Sequence, residues 1–327
     1  MTGIPPVDLQ RLPPVVLIGH PFAPIGRGED LRCTARAVRT AGLSFSILDL
    51  DPPGRYRDRG LEAEFGPHLT EKLSDGLNLF FLNGDEVDRV LDHHPEFAVP
   101  RGTRVILPHW ELENYPREWA AELERFDEVW APSSFGYDAF SKTAAVPVKQ
   151  ISLPVEIQLD AFLPRRYFSL PESSFLFLFF FDYSAYLERK NPSAVLEAFE
   201  RLCRTRGLED IRLVIKTSIP WPDPRFEAMQ ETLNRRIHSS PFQERMILIQ
   251  ETFSDFEIKN LLRCCDCFLS LHRSEGFGRG LAEAMFLGKP VIGTGYSGNL
   301  DFMRPENAYL IDYSLIPVQP GEYPHHE

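Results

Sequence analysis

The residues best equipped for chemistry lie in the stretch Arg273-Ser274-Glu275-Gly276-Phe277-Gly278-Arg279-Gly280-Leu281-Ala282-Glu283-Ala284-Met285. Glu275 and Glu283 stand eight positions apart around a glycine-rich entry into a helix. Gly276 and Gly278 carry no Cβ, so the backbone there can take positive φ and approach a ligand closely. The helix that follows offers unpaired N–H groups and a positive dipole end, which suit a phosphate. Glu283 falls one to two turns into that helix, where its carboxylate can accept two hydrogen bonds from a vicinal diol. Phosphate, ribose and sugar held within one loop and helix are what chemistry on an activated sugar nucleotide requires.

Four further stretches add polar groups at strand ends. In Phe181-Asp182-Tyr183-Ser184-Ala185-Tyr186-Leu187-Glu188-Arg189-Lys190-Asn191-Pro192, two cations sit at the start of a helix. Cations there oppose the helix dipole, which disfavours a purely structural purpose for Arg189 and Lys190. Lys216, in Val214-Ile215-Lys216-Thr217, ends a strand from which it can reach a phosphate or a base. His109 and Glu111, in Leu107-Pro108-His109-Trp110-Glu111, follow a strand and so belong at a sheet's carboxyl edge, where open α/β folds bind ligands. The loop Ile25-Gly26-Arg27-Gly28-Glu29 opens the first long helix. A dinucleotide fingerprint would need a third glycine near Leu31 and a start directly after the strand. Asp49 mimics the ribose-binding acid of an NAD-dependent oxidoreductase, so that reading stays open as an alternative.

Apolar runs alternate with amphipathic stretches, the pattern of α/β layers with parallel sheets. Strands are expected at 15–19, 45–48, 77–82, 104–107, 128–130, 212–216, 246–249 and 267–271, with a central one in the Phe175–Phe181 run. Helices are expected at 30–41, 119–125, 192–204, 225–237 and 256–263. Asn191 is placed to cap the third of these, with Pro192 at its first position. The segment Pro147 to Arg166 reads as the domain junction. Two Rossmann-like domains with parallel sheets facing a cleft follow as the architecture, residues 1–160 and 161–327.

The bulk properties bound the function. With 43% hydrophobic residues, 327 residues can bury two sizeable cores. A net charge of −12 argues against nucleic acid as a partner. Five cysteines without framework spacing point to a reducing compartment. Adjacent ligands in Cys264-Cys265-Asp266-Cys267 cannot all face one ion, so buried thiols are expected there and no metal. The N-terminal residues lack a secretion signal, and the Phe175–Phe181 run is far too short to span a bilayer. A cytoplasmic protein is expected, with contact at the inner face of the membrane left open.

The Glu275–Glu283 stretch, continued by Gly288-Lys289-Pro290-Val291-Ile292-Gly293-Thr294-Gly295-Tyr296-Ser297-Gly298-Asn299, resembles the E-x7-E signature of retaining GT-B glycosyltransferases of the family-4 type, glycosyl transferases group 1. Trp110-Glu111-Leu112 with Pro116 resembles a segment of one subgroup. The resemblance runs from about His20 to Tyr313. It implies a metal-independent enzyme without a cofactor, moving a hexose from a nucleotide-sugar donor to a glycan or lipid-linked glycan.

Each motif position then takes a role. Lys190, Arg189 and the helix after Gly278 would stabilise the departing diphosphate. Glu275 would hold the sugar's hydroxyls and Glu283 the ribose. Gly276, Phe277, Lys216 and the loop Gly26, Arg27 and Gly28 would complete the donor site. His109 and Glu111 would serve the reaction beside the acceptor. Ser184 stands where many relatives carry an arginine, and Arg189 is the cation that would compensate. Relatives continue with helices beyond this point, so the second domain is expected to be cut short. A non-catalytic sugar-nucleotide or glycan-binding subunit is the alternative from another class.

Overall fold

The computed structural model describes residues 14–51, 57–94, 97, 99, 101–205, 207–219 and 221–325. Two compact units divide the chain, Met1–Pro154 and Val155–Glu327. In the first, six strands form a parallel sheet: β1 (Val15–Gly19), β2 (Phe45–Asp49), β3 (Leu77–Phe80), β4 (Thr103–Ile106), β5 (Glu128–Ala131) and β6 (Val148–Gln150). The helices α1 (Gly26–Thr40), α2 (Arg59–Phe65), α3 (Gly84–His93), α4 (Arg117–Leu123) and α5 (Ser134–Ser141) lie between them in sequence. The order β2-β1-β3-β4-β5-β6 reverses beside β1, so the chain leaves β1 and β3 toward opposite sides of the sheet.

The second unit repeats this plan. Its strands are β7 (Phe175–Asp182), β8 (Ile211–Ser218), β9 (Met246–Ile249), β10 (Cys267–Ser270), β11 (Val291–Thr294) and β12 (Tyr309–Ile311). They pair in parallel in the order β12-β11-β10-β7-β8-β9. Between them run α6 (Leu187–Lys190), α7 (Pro192–Cys203), α8 (Pro224–His238), α9 (Asp255–Cys264) and α10 (Arg279–Phe286). Here the order reverses between β7 and β10, and the loops after these two strands carry Lys190 and Glu275.

The centre of this sheet explains the phenylalanine run. Strand side chains alternate faces, and β7 is apolar on both. Leu176 and Leu178 pack with Leu261, Leu281 and Val291, against α9 and α10. Phe179 and Phe181 pack with Val195, Phe199 and Phe226, against α7 and α8. A strand covered by helices on both faces needs no polar side, as parallel sheets require. Cys264 and Cys265, just before β10, and Cys267, its first residue, are buried, and the Cys264 thiol donates to the Leu163 carbonyl.

The elements differ from expectation mainly at their ends. The first helix begins at Gly26, not Asp30, so Gly26, Arg27 and Gly28 form its first turn and not a loop before it. Close packing of this turn explains its glycine: a Cβ on Gly28 would stand 2.7 Å from the carbonyl oxygens of both His20 and Ala23. Three helices of the first unit, α2, α3 and α5, were not anticipated. In α3 only Val87 and Val90 supply a buried apolar pair, too few for a readable stripe. Among the described residues, no helix is long and apolar enough to cross a membrane.

Leu178 is fully buried at the centre of β7. Leu178→Ala is expected to cost the second unit about 2–5 kcal/mol, seen as a lowered urea midpoint. An unchanged midpoint would refute this account of the core.

Candidate functional site

The loops after β7 and β10 bring one carboxylate between two cations. Glu275 Oε1 accepts from Lys190 Nζ at 2.5 Å, and Glu275 Oε2 accepts from Arg189 Nη1 at 3.1 Å. Backbone contacts reinforce the pairing, since Arg189 Nη1 also donates to the Ser274 carbonyl and the Arg273 N–H donates to the Arg189 carbonyl. Burial alone would raise the Glu275 carboxyl. Lys190 and Arg189 outweigh it and hold the group well below the usual carboxylate range. Lys190 ends α6, one residue before the helix cap Asn191, which takes φ of +54° and accepts the Ala194 N–H ahead of Pro192.

Glu275 is fixed by a second loop as well. Its N–H donates to Ser297 Oγ at 2.8 Å, and its carbonyl accepts from the Gly298 N–H at 2.9 Å. Only glycine fits at 298, since a Cβ there would meet the Gly276 carbonyl oxygen at 2.1 Å. Gly278 caps α10 with φ of +92°, the left-handed region that glycine enters at little cost. The buried Phe277 packs on Phe302, and Arg279 lies over the Phe277 ring. Glu283 follows one turn into α10, nine-tenths buried and 4.0 Å from Arg279. Glu275, Gly276, Phe277, Gly278 and Glu283 therefore belong to one loop and helix, with Lys190 and Arg189 on Glu275.

Lys216 is set apart from that cluster. It occupies β8 between Phe180 and Ile249 and is 7% exposed. No carboxylate lies within ion-pair distance of it among the described residues. Its Nζ stands 5.7 Å from the centre of the Phe253 ring, and burial pushes its ammonium down to about 8. Asp182 acts on its charge but offsets the burial only in part. A cation so weakly compensated is a cost to stability, and it marks Lys216 as a group kept for an anion or a strong acceptor.

The first unit holds its own polar ring at the carboxyl edge of the sheet. Arg27, on α1, forms a two-pronged ion pair with Glu86, on α3. Burial would raise Glu86, but Arg27 brings it down to about 2. Glu86 also accepts the Asn83 N–H, and the Asn83 side chain accepts the His109 N–H at 2.9 Å. His109 Nε2 closes the ring on Asp30, back on α1, at 2.7 Å. Arg27 is thus engaged with Glu86 from the first turn of α1. Glu111 is partly buried, two residues beyond His109.

Several of these residues escaped sequence reasoning. His20, directly after β1, bonds Asp51 at 3.0 Å, an arrangement parallel to His109 and Asp30. Asp49 is taken by Arg57 and by the Asp51 N–H. Asp30 and Glu86 carry no motif, so only proximity in space marks them. Ser297 and Asn299 lie in the motif continuation, a signal that was present without a role attached.

The comparisons with known proteins bear on this loop and helix. Residues 172–314 match the family described as glycosyl transferases group 1. The group 1 segment contains Lys190, Arg189, Lys216, Glu275 and Glu283. A comparison with curated proteins finds no significant match. Among solved structures, the chain is similar to Anabaena HepE in complex with UDP-glucose, with a TM-score of 0.67, 16% identity and 92% of this chain and 85% of that one covered. It is also similar to sucrose-phosphate synthase from Thermosynechococcus elongatus, with a TM-score of 0.63, 16% identity and coverage of 91% and 86%. The pneumococcal O-GlcNAc transferase GtfA in complex with UDP and GlcNAc gives a TM-score of 0.62, 11% identity and coverage of 93% and 88%. These likenesses establish the GT-B fold, and residues 172–314 are similar to glycosyl transferases group 1.

The depressed Lys216 has a consequence for stability with a defined sign. Between about 8 and its ordinary value of 10.5 the unfolded chain binds a proton there that the folded chain does not. Stability therefore rises with pH across that window, and the full penalty applies below it. Lys216→Met is expected to raise the melting temperature of the second unit at pH 7, with the gain shrinking toward pH 10. A melting temperature that falls at pH 7 would show that the cation is compensated.

Proposed function

We propose that the protein is a retaining, metal-independent glycosyltransferase that moves a hexose from a nucleotide-sugar donor to a glycan or lipid-linked glycan. One observation carries the reading: Glu275 sits between Lys190 and Arg189 on the group 1 loop that ends at the Gly278 cap. Anion-binding cations, a helix start and two buried carboxylates for hydroxyl groups lie together there. The UDP-glucose bound to HepE and the UDP and GlcNAc bound to GtfA support a nucleotide-sugar donor for this fold.

In this proposal the bond from the sugar's anomeric carbon to the diphosphate breaks, and its electron pair leaves on the diphosphate. Lys190, Arg189 and the N–H groups at the start of α10 stabilise that charge as it develops. Glu275 orients the sugar through its hydroxyls and favours positive charge at the anomeric centre. Glu283 takes the ribose diol, and Lys216 the base or a phosphate. On the first unit, His109, oriented by Asp30, and Glu111 hold the acceptor hydroxyl, whose oxygen forms the new bond while its proton passes to the departing diphosphate. Catalysis is then positioning and electrostatics, with no metal required.

A screen of activated sugars by thermal shift and nucleotide release identifies the donor. With it, Lys190→Ala is expected to lower kcat by about 100-fold or more, and Glu283→Ala to raise the donor KM with little change in kcat. Turnover should persist in EDTA, and the anomeric proton coupling of the product should match that of the donor. Unchanged kinetics in both variants would overturn the assignment, and an inverted product would overturn retention.

A further inference from the structure

Behind Glu275 lies a buried histidine that the proposed chemistry does not use. His272 is 1% exposed, and both ring nitrogens are engaged: Nδ1 with Ser270 Oγ at 3.0 Å and Nε2 with Asn299 Oδ1 at 3.1 Å. The Asn299 amide has a fixed sense, because its Nδ2 donates to the Thr294 carbonyl at 3.0 Å. A carbonyl can only accept, so reversing the amide would set two oxygens against each other. Asn299 Oδ1 therefore faces His272, and the Nε2 nitrogen must carry the hydrogen. Nδ1 is then bare and accepts from the Ser270 hydroxyl. Thr294 Oγ1 completes the arrangement by donating to the His272 carbonyl at 2.6 Å.

These bonds join two loops, residues 271–278 after β10 and residues 294–299 after β11. The same loops meet again at Glu275, whose N–H and carbonyl are held by Ser297 and Gly298. Ser297 sits at φ of +75°, a conformation that a non-glycine residue keeps only when its surroundings impose it. Resting on the transferase reading above, we propose that His272 is a positioning residue: in its neutral Nε2–H tautomer it latches the 294–299 loop to the 271–278 loop and so holds Glu275 in register for its ligand.

Protonation would undo this latch. A hydrogen on Nδ1 would force the Ser270 hydroxyl to reverse and would place a third cation near Lys190 and Arg189. The groups that face the ring are Ser270 from β10, Thr294 from β11, Asn299, and the charged Glu275, Lys190 and Arg189. Burial, aided by the two cations and opposed by Glu275, pushes the imidazole below its ordinary 6.5. Above that pH the ring is neutral in folded and unfolded chains alike. As pH falls below 6.5 the unfolded chain takes the proton first, so stability declines, and the latch itself opens below the folded value.

The test uses the full chain. Histidine nitrogen–proton correlation spectra at pH 7.5 should contain an Nε2–H tautomer signal, distinct from that of His109, that vanishes in His272→Gln. An Nδ1–H tautomer or an imidazolium at that pH would overturn the assignment, whether or not the protein transfers sugar. His272→Gln keeps a donor toward Asn299 but cannot be protonated. It should retain kcat within about threefold at pH 7.5 and lose the acid limb of the kcat profile. His272→Ala and Asn299→Ala should each lower kcat by tenfold or more with donor KM little changed. The double variant should be no worse than the poorer single one, the sign of a shared interaction. A wild-type acid limb in His272→Gln, or losses that multiply in the double variant, would sink the latch. Failure of every variant and of the wild type to transfer sugar would instead remove the transferase reading, with the tautomer spectrum still deciding the geometry.

Discussion

The second unit is organised around one buried ion triad, the Glu275 carboxylate between Lys190 and Arg189. Two cations at the end of a short helix would repel each other and any helix start beside them. A single carboxylate from the loop after the neighbouring β10 bonds both and offsets one of their two charges. The carboxylate is the member the arrangement depends on, because removing Glu275 would leave two partly buried cations side by side without it. What results is a pair of cations already ordered and partly desolvated before a ligand arrives. Preordering of this kind makes charge stabilisation effective, since little reorganisation is left for the reaction itself.

The first unit reaches a comparable rigidity by a longer route. Arg27, Glu86, Asn83, His109 and Asp30 form a closed polar ring that ties the helices after β1 and β3 to the segment after β4. Arg27 and the Asn83 N–H both donate to Glu86, while His109 donates its backbone N–H to Asn83 and its Nε2–H to Asp30, so the residue is held at both backbone and ring. A carboxylate that only accepts requires a hydrogen on Nε2 of His109 and leaves Nδ1 facing away from Asp30. The residues of this ring come from separate stretches of sequence, and the sheet order is what makes them neighbours.

The second unit places its local strain and its weakly compensated burial near the strand ends. Ser297 and Asn191 adopt positive φ, and Lys216 is buried with Asp182 offsetting its charge only in part. Such features lower stability and persist where the surrounding packing enforces them. Elsewhere the sheet of the second unit is ordinary: β7 is apolar on both faces, and its helices cover both. Departures from that pattern mark the carboxyl ends of β7, β8 and β10, where the polar groups collect.

The strongest periodic elements were legible in the amino-acid order alone. Strand β9 matches its expected bounds, Met246 to Ile249, and α7 starts where Asn191 and Pro192 signal it. The loop and helix from Glu275 to Glu283 is also local, because glycine's freedom at positive φ and the helix start act within a few residues. Contacts between distant stretches were not legible. That Lys190 meets Glu275, that Arg27 turns to Glu86, and that His20 and His109 each find a carboxylate depends on which strands become neighbours. Sequence determined the α/β layers and the local shape of the glycine turn, because these follow from residue periodicity and backbone sterics. Only the tertiary structure decided which charges would share a site. Charge pairing depends on distance in space, and that distance was set by the reversal of strand order beside β7 and β1.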